Sequence, residues 1–407
     1  MIKLKKNEIK IRSLFWLLII LSLISPPFVF AEAIYLGREL RFFLILNILI
    51  LISLQNIKLS QTDLLFFVLL ISILFVEIII QRSNLNNIIS FYSVVLITFL
   101  LFKVLSKNKI KTDIFLKNWL HFSFILSSAA IISFLIHQFT NINLDILNFK
   151  SSGNFNPMYN YNFSIFGFTI PKNFAFGELT RVASFFKEPQ YAGIFFSLNI
   201  ILSKKISNSI FNKYFITNFL AGILTFSTTF YLVFLILMFP YLRAKRSYFV
   251  SALIITSLLL VIVFFLLDIN VEISELFLSN TSFLDRLERS ISGINALQNA
   301  SLFNLFFGHG INNYSKFNFD ELGRSISSGY LIMLFDFGIL LSCLFFLTLI
   351  NILLRNLTLM ITFLIYLIVF PVFKFYFVWF VVILCILYNS KKFHFDENKT
   401  NKQFYNI

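Results

Sequence analysis

The sequence predicts an all-α integral membrane protein of about twelve transmembrane helices with two large loops on one side. Three observations predict it. Of 407 residues, 58% are hydrophobic and 13% are charged, against about 45–50% apolar and about 25% charged in an average soluble domain. So few charges do not cover a soluble surface of this size. The apolar residues gather into runs long enough, or nearly so, to cross a bilayer, and the basic residues favour alternate connections between them. Disorder is excluded by the apolar content. Cys343 and Cys385 both lie inside apolar runs, which excludes a disulfide scaffold.

In chain order the runs cover 14–31, 40–55, 63–80, 88–105, 118–138, 189–203, 212–226, 228–242, 248–268, 328–350, 357–373 and 375–389. The stretch 212–242 is divided at Ser227-Thr228-Thr229. One helix of about 30 residues, rising 1.5 Å per residue, would overshoot a core of roughly 30 Å. Residues 1–31 carry a Lys-rich start, an apolar centre and Val29-Phe30-Ala31, the outline of a signal peptide. Because another span follows at once, they read as an uncleaved first span. The whole chain, 1–407, forms a single polytopic domain with a tail at 390–407.

With the N-terminus in the cytoplasm, and charges near the end of a run counted with the face they adjoin, 22 of the 34 basic residues fall inside and 13 of the 19 acids fall outside. The inside then carries net +17 and the outside −1, the positive-inside bias. This accounts for the overall charge of +15 without nucleic acid. It predicts a multi-pass protein of a bacterial cytoplasmic membrane with both termini inside.

Two connections exceed the length of ordinary linkers, and both fall outside: 139–188 and 269–327. The first clusters Asn154, Asn156, Asn160, Asn162, Tyr159 and Tyr161, residue types suited to sugar faces and hydroxyls but also to a membrane-interface belt. Both loops are expected to hold ordered, partly helical segments.

Four clusters in and beside these loops can carry chemistry. Arg181 and Phe185-Phe186-Lys187-Glu188-Pro189-Gln190-Tyr191-Ala192-Gly193 form the first. Pro189 suits the first turn of a helix. A helix start with Arg181 and Lys187 beside it suits a phosphate, and Glu188 is the local proton acceptor. The plainer reading is an interfacial Arg–Glu pair. The second, Asp285-Arg286-Leu287-Glu288-Arg289, begins an amphipathic helix over 284–299. Arg286 and Arg289, three apart, share a face that can clamp a pyrophosphate; alternatively Asp285 pairs with Arg289. In the third, Gly308-His309-Gly310, two glycines allow a tight turn around a histidine that is either a base or structural. The fourth runs from Arg324 through Ser327-Ser328-Gly329-Tyr330 to Asp336-Phe337-Gly338. Asp336 lies roughly 12 Å down the helix from Ser328. An acid at that depth needs a partner or a cavity, and Arg324 reaches it only from a deeper helix start. Glu77, in the third run, is a second acid of this kind.

No Walker loop, Rossmann fingerprint, zinc-ligand spacing or nucleophile elbow occurs. Any reaction must use a substrate that brings its own activated bond. No cofactor or metal is expected.

The order of the clusters resembles the O-antigen polymerase and ligase superfamily, the Wzy-like membrane glycosyltransferases. The resemblance rests on the Arg181 to Gly193 cluster, on Thr225-Phe226-Ser227, on Arg286 to Ala296 leading into Leu305-Phe306-Phe307-Gly308-His309-Gly310, and on Ser328 to Gly338. It implies a GT-C-like helical array and a donor oligosaccharide carried on undecaprenyl pyrophosphate. A second lipid-linked unit attacks the donor, and no metal or nucleotide takes part. It further implies outer-loop arginines on the pyrophosphate (Arg181, Arg286, Arg289, Arg324, with Lys187), and Glu188 or His309 as base. A chain-length regulator and a flippase would be the companions. Ser327-Ser328 stands where ligases of the superfamily carry a His-Asn-type pair; the missing histidine favours polymerase over ligase. Gly193 lies one residue further from Arg181 than the usual polymerase spacing. The alternatives are the ligase and a lipid-linked oligosaccharide flippase.

Overall fold

A computed structural model describes residues 2–28, 37–55, 85–107, 109–139, 162–164, 166–174, 177–206, 212–227, 229–235, 281–311, 328–353 and 356–389, with scattered positions between 60 and 74. The expected span 248–268, most of 63–80 with Glu77, the Asn/Tyr cluster before residue 162, Arg324 and the tail from 390 lie outside the described residues.

The chain is a mostly helical, membrane-embedded protein. Helices α1 (Ile2–Leu23), α2 (Gly37–Ser53), α3 (Leu85–Ser106) and α4 (Lys109–Phe139) precede a small sheet of β1 (Asn162–Ser164), β2 (Gly167–Phe174) and β3 (Gly177–Ser184). Then follow α5 (Pro189–Ile206), α6 (Lys213–Ile223), α7 (Thr281–Gln298), α8 (Leu302–Phe307), α9 (Gly329–Leu353), α10 (Leu357–Val369) and α11 (Tyr376–Asn389). Three stretches, Ile88–Ser106, Ile110–Phe139 and Gly329–Leu347, are each long and apolar enough to cross a membrane. Leu357–Ile368 and Tyr376–Tyr388 are shorter apolar helices.

Local sequence explains the ends. Asn212 and Asn356 cap α6 and α10 by accepting from the N–H of Phe215 and Leu359, satisfying donors that a helix start leaves open. The first helix stops at Leu23, and Pro26 and Pro27 follow, so this element is shorter at its far end than the run 14–31. The division at 227–229 is present. Helix α6 ends at Ile223, residues 224–226 turn with Phe226 at φ 46°, and helix resumes over 229–235.

The first long loop differs from expectation. The loop was expected to be ordered and partly helical; its described part is ordered as a three-stranded antiparallel sheet, in the order β1-β2-β3. Ser164 pairs with Gly167 and Phe174 with Gly177, so each hairpin closes across two residues. Gly167 has φ 121°, and a Cβ there would lie 2.8 Å from the Ser184 carbonyl oxygen. Glycine is what this close approach admits. The two intervening pairs, Ile165-Phe166 and Ala175-Phe176, are not the Asn-Gly or Asp-Gly type that announces a hairpin.

The core is aromatic. Phe28 stacks on Phe186 at 4.3 Å, and both meet Phe377. Buried polar groups are paired across helices. Trp119 Nε1 donates to Asn199 Oδ1 at 2.7 Å, and the Ser197 and Ser93 hydroxyls bond those of Tyr366 and Tyr376. In an apolar interior such pairs fix helix register.

Segments expected on one membrane face meet at one end of the array. Lys187 N–H donates to Pro27 O, Thr180 N–H to Gln138 Oε1 and Val182 N–H to Leu224 O. Segments expected on the other face likewise meet each other. Lys103 pairs with Asp63, Lys111 bonds Gln55, and Tyr388 bonds Asp113.

Candidate functional site

The site residues gather at the end of the array that carries the sheet. Arg181 is in β3, and its side chain is buried, with 7% exposure. Its Nε donates to the carbonyl of Thr225 at 3.2 Å, and one terminal nitrogen donates to that of Phe226 at 3.3 Å. These carbonyls follow the last turn of α6, where a helix leaves acceptors unmet and carries negative partial charge. Tyr231 Oη donates to Ile223 O at 2.9 Å in the same turn. Arg181 thus closes the break between two helical segments. The sequence placed both Arg181 and the break but did not connect them.

Three residues on, Ser184 has φ 53°, and the chain leaves the sheet through Phe185 to Lys187. Helix α5 then starts at Pro189, as expected. The Glu188 carbonyl accepts from Tyr191 N–H at 3.1 Å and Ala192 N–H at 3.4 Å. Lys187 and Glu188 are half-buried at this helix start. Tyr191 meets Phe370 and Phe375, with ring centroids 4.9 and 5.5 Å away. This carries the cluster to the connection between α10 and α11.

That connection supplies a residue the sequence reading passed over. Lys374 is the single residue between the runs 357–373 and 375–389, at the end of a 3-10 turn over Val372–Lys374. Its Nζ lies 3.0 Å from Asp336 Oδ2, and the carboxylate is fully buried. Asp336 therefore has a partner in Lys374, while Arg324 lies outside the described residues. Pro371, three residues before Lys374, was the turn signal that could have found it.

Asp336 sits where α9 breaks. Gly338, with φ 69° and ψ 179°, interrupts the helix. The carbonyls freed there are met from the second long loop: His309 N–H donates to Phe335 O at 2.8 Å and Gly310 N–H to Asp336 O at 3.0 Å. Ser342 Oγ donates across the break to Met333 O at 3.0 Å. A Cβ on Gly308 would stand 2.3 Å from Asp336 O, and one on Gly338 would stand 2.4 Å from Phe306 O. The two glycines permit this interlock. A broken helix at membrane depth is tolerated where other protein groups satisfy its backbone.

The His309 ring stacks on Phe335 at 4.1 Å and 15°. Burial holds its pKa below the ordinary imidazole value, because a half-buried site disfavours the charged form. A base depressed on folding binds its proton more weakly folded than unfolded. Its stabilising contribution is present above about pH 6.5 and is lost as pH falls from there through the lower pKa of the folded state. Lowering the pH from about 7.5 to about 5 is expected to lower the thermal midpoint, and His309→Gln to shrink that drop. Equal drops in the two proteins would remove His309 from the response.

The expected helix over 284–299 is present as α7, with Ala296 and Leu297 against the core. Arg286 and Arg289 lie on it, but their side chains, and all of Arg324, fall outside the described residues. Among the described residues no group of three or more His, Cys, Asp or Glu forms a metal-binding cluster.

Arg181, Glu188, His309 and Asp336, with Lys374, are thus linked by a chain of contacts running from β3 through the start of α5 and the α10–α11 connection to the break in α9. No family model, no curated protein and no solved structure matches the chain.

Proposed function

We propose that the chain is a membrane glycosyltransferase that joins lipid pyrophosphate-linked oligosaccharide repeat units into a surface polysaccharide. The supporting observation is the gathering, at one end of a helical array, of a proline-led helix start with Lys187 and Glu188, the Gly308-His309-Gly310 turn and the Asp336–Lys374 pair. An acceptor hydroxyl attacks the donor's anomeric carbon, and the bond to the pyrophosphate oxygen breaks. The hydroxyl proton passes to Glu188 or His309, and undecaprenyl pyrophosphate departs. Developing charge on that leaving group calls for cations at the headgroup level. Lys187, Arg286, Arg289 and Arg324 are assigned to it, with Arg181 shaping the floor. The membrane is the bacterial cytoplasmic membrane and the reaction face is its outer one, following the charge bias. The donor brings its own activated bond, so no nucleotide or metal enters the scheme.

Purified protein in liposomes, given a lipid pyrophosphate-linked repeat unit, is expected to yield a ladder of longer chains and free lipid pyrophosphate. Single units that stay single while crossing the bilayer would favour the transporter reading, which the buried Asp336–Lys374 pair supports. Long chains stranded on the carrier after gene deletion would favour the ligase.

A further inference from the structure

The second long loop was expected on the outer side of the membrane with ordered, partly helical segments, and its described part exposes apolar side chains in a fixed arrangement. Four of the six residues of α8 are exposed hydrophobics: Leu302 at 74%, Phe303 at 46%, Phe306 at 43% and Phe307 at 38%. Ile291 and Ile294 of α7 are exposed as well. Water-facing surfaces seldom carry such a contiguous apolar patch unless something covers it.

The patch is anchored. The segment after α8 is bonded into the break of α9 through His309 and Gly310, and Ala296 and Leu297 hold α7 against the core. The apolar face is therefore a built surface.

Two observations identify what covers it. No Asp, Glu, Lys or Arg occurs from residue 290 to residue 315, although Ser, Asn and Gln recur there. The segment is too polar to span and too uncharged for an open aqueous loop, the composition of chain lying in a membrane boundary. In addition, α8 ends against Gly338, where the outward stripe of α9 begins. Leu340, Cys343, Leu344 and Leu347 are all exposed there at one-turn spacing. On a helix apolar enough to cross a membrane, that stripe faces acyl chains, and the face of α8 continues it.

We infer that α7 and α8 form a membrane-surface element, with the apolar face of α8 seated among lipid acyl chains at the bilayer boundary beside the broken helix. The partner is the lipid bilayer itself. The inference stands on the exposed faces and the charge-free stretch, and holds whether or not the chain is a glycosyltransferase. In the polymerase reading it puts acyl chains next to Asp336 and His309, so a lipid-linked substrate reaches them sideways from the membrane.

The test is a nitroxide label on Phe303→Cys, in a Cys343→Ser background, with the full chain in phosphatidylcholine liposomes. Power saturation is compared for oxygen, which concentrates in acyl chains, and for a water-soluble nickel chelate. The expected result is relaxation dominated by oxygen, as for a reference label on Leu347→Cys. Relaxation dominated by nickel would overturn the inference. So would shielding from both agents, with or without spin–spin broadening, since that would mean a protein partner or a second copy covers the face. Leu302→Cys, at the most exposed position of α8, gives the same readout if the Phe303 variant does not fold.

Discussion

Lys374→Ala is expected to destabilise the folded chain by about 3–5 kcal/mol, the cost typical of breaking a buried ion pair by removing one side of it. Asp336 is fully buried, whereas the Lys374 side chain keeps 18% exposure. The two single variants should therefore differ. Asp336→Ala leaves a lysine whose long stem can carry its charge toward water, so its loss should be the smaller. Replacing both residues, as Asp336→Leu with Lys374→Met, should recover most of the loss, because removing a buried pair together is often near neutral. Denaturant midpoints of the wild type, Asp336→Leu, Lys374→Met and the double variant in mild detergent make the double-mutant cycle. Additive losses would show that Asp336 and Lys374 do not act as a pair. The same four proteins bear on mechanism: a double variant that folds but makes no polymer would give the pair a role beyond holding α9 to the α10–α11 connection.

Arg181→Ala is the second large expected effect. Hydrogen bonds to charged groups contribute about 1.5–3 kcal/mol each, and Arg181 makes two such bonds to the turn after α6. A loss of about 3 kcal/mol is expected, together with reduced protein level in cells. Arg181→Lys keeps the charge but not the planar fork, and should keep less than half of the stabilisation. The informative quantity is polymer formed per folded molecule. If Arg181 only closes the break between helices, activity should follow the folded fraction. If it also touches pyrophosphate, Arg181→Lys should lose activity well beyond its loss of folded protein, and the salt dependence of substrate binding should weaken.

The helices were legible because bilayer-length apolar runs are a composition signal that needs no knowledge of neighbours. The runs at 88–105, 118–138 and 328–350 overlap helices long enough to span, and the division before Thr229 followed from length alone. The sheet was not legible to the same reasoning. Residues 162–184 are neither apolar enough to span nor alternating enough to announce strands, and the close backbone approach that joins β2 to the end of β3 is admitted by Gly167 alone among the described positions. At the site, local signals such as Pro189 opening a helix and two glycines flanking His309 held. The long-range pairings did not follow from sequence. Arg181 contacts a turn more than forty positions later, and Asp336 takes a lysine from the next connection but one. Nothing local specifies those partners; the packing of the helices does.

The two interrupted helices share a feature of chain order. Arg181 and Val182 serve carbonyls at Leu224 to Phe226, and His309 and Gly310 serve those of Phe335 and Asp336. In both cases the donors precede the acceptors along the chain. During synthesis the capping segment has left the ribosome before the helix it must complete. Neither broken helix then has to wait in lipid for a partner still to be made, and a circularly permuted chain that reversed this order would be expected to insert with lower yield while keeping the same final contacts.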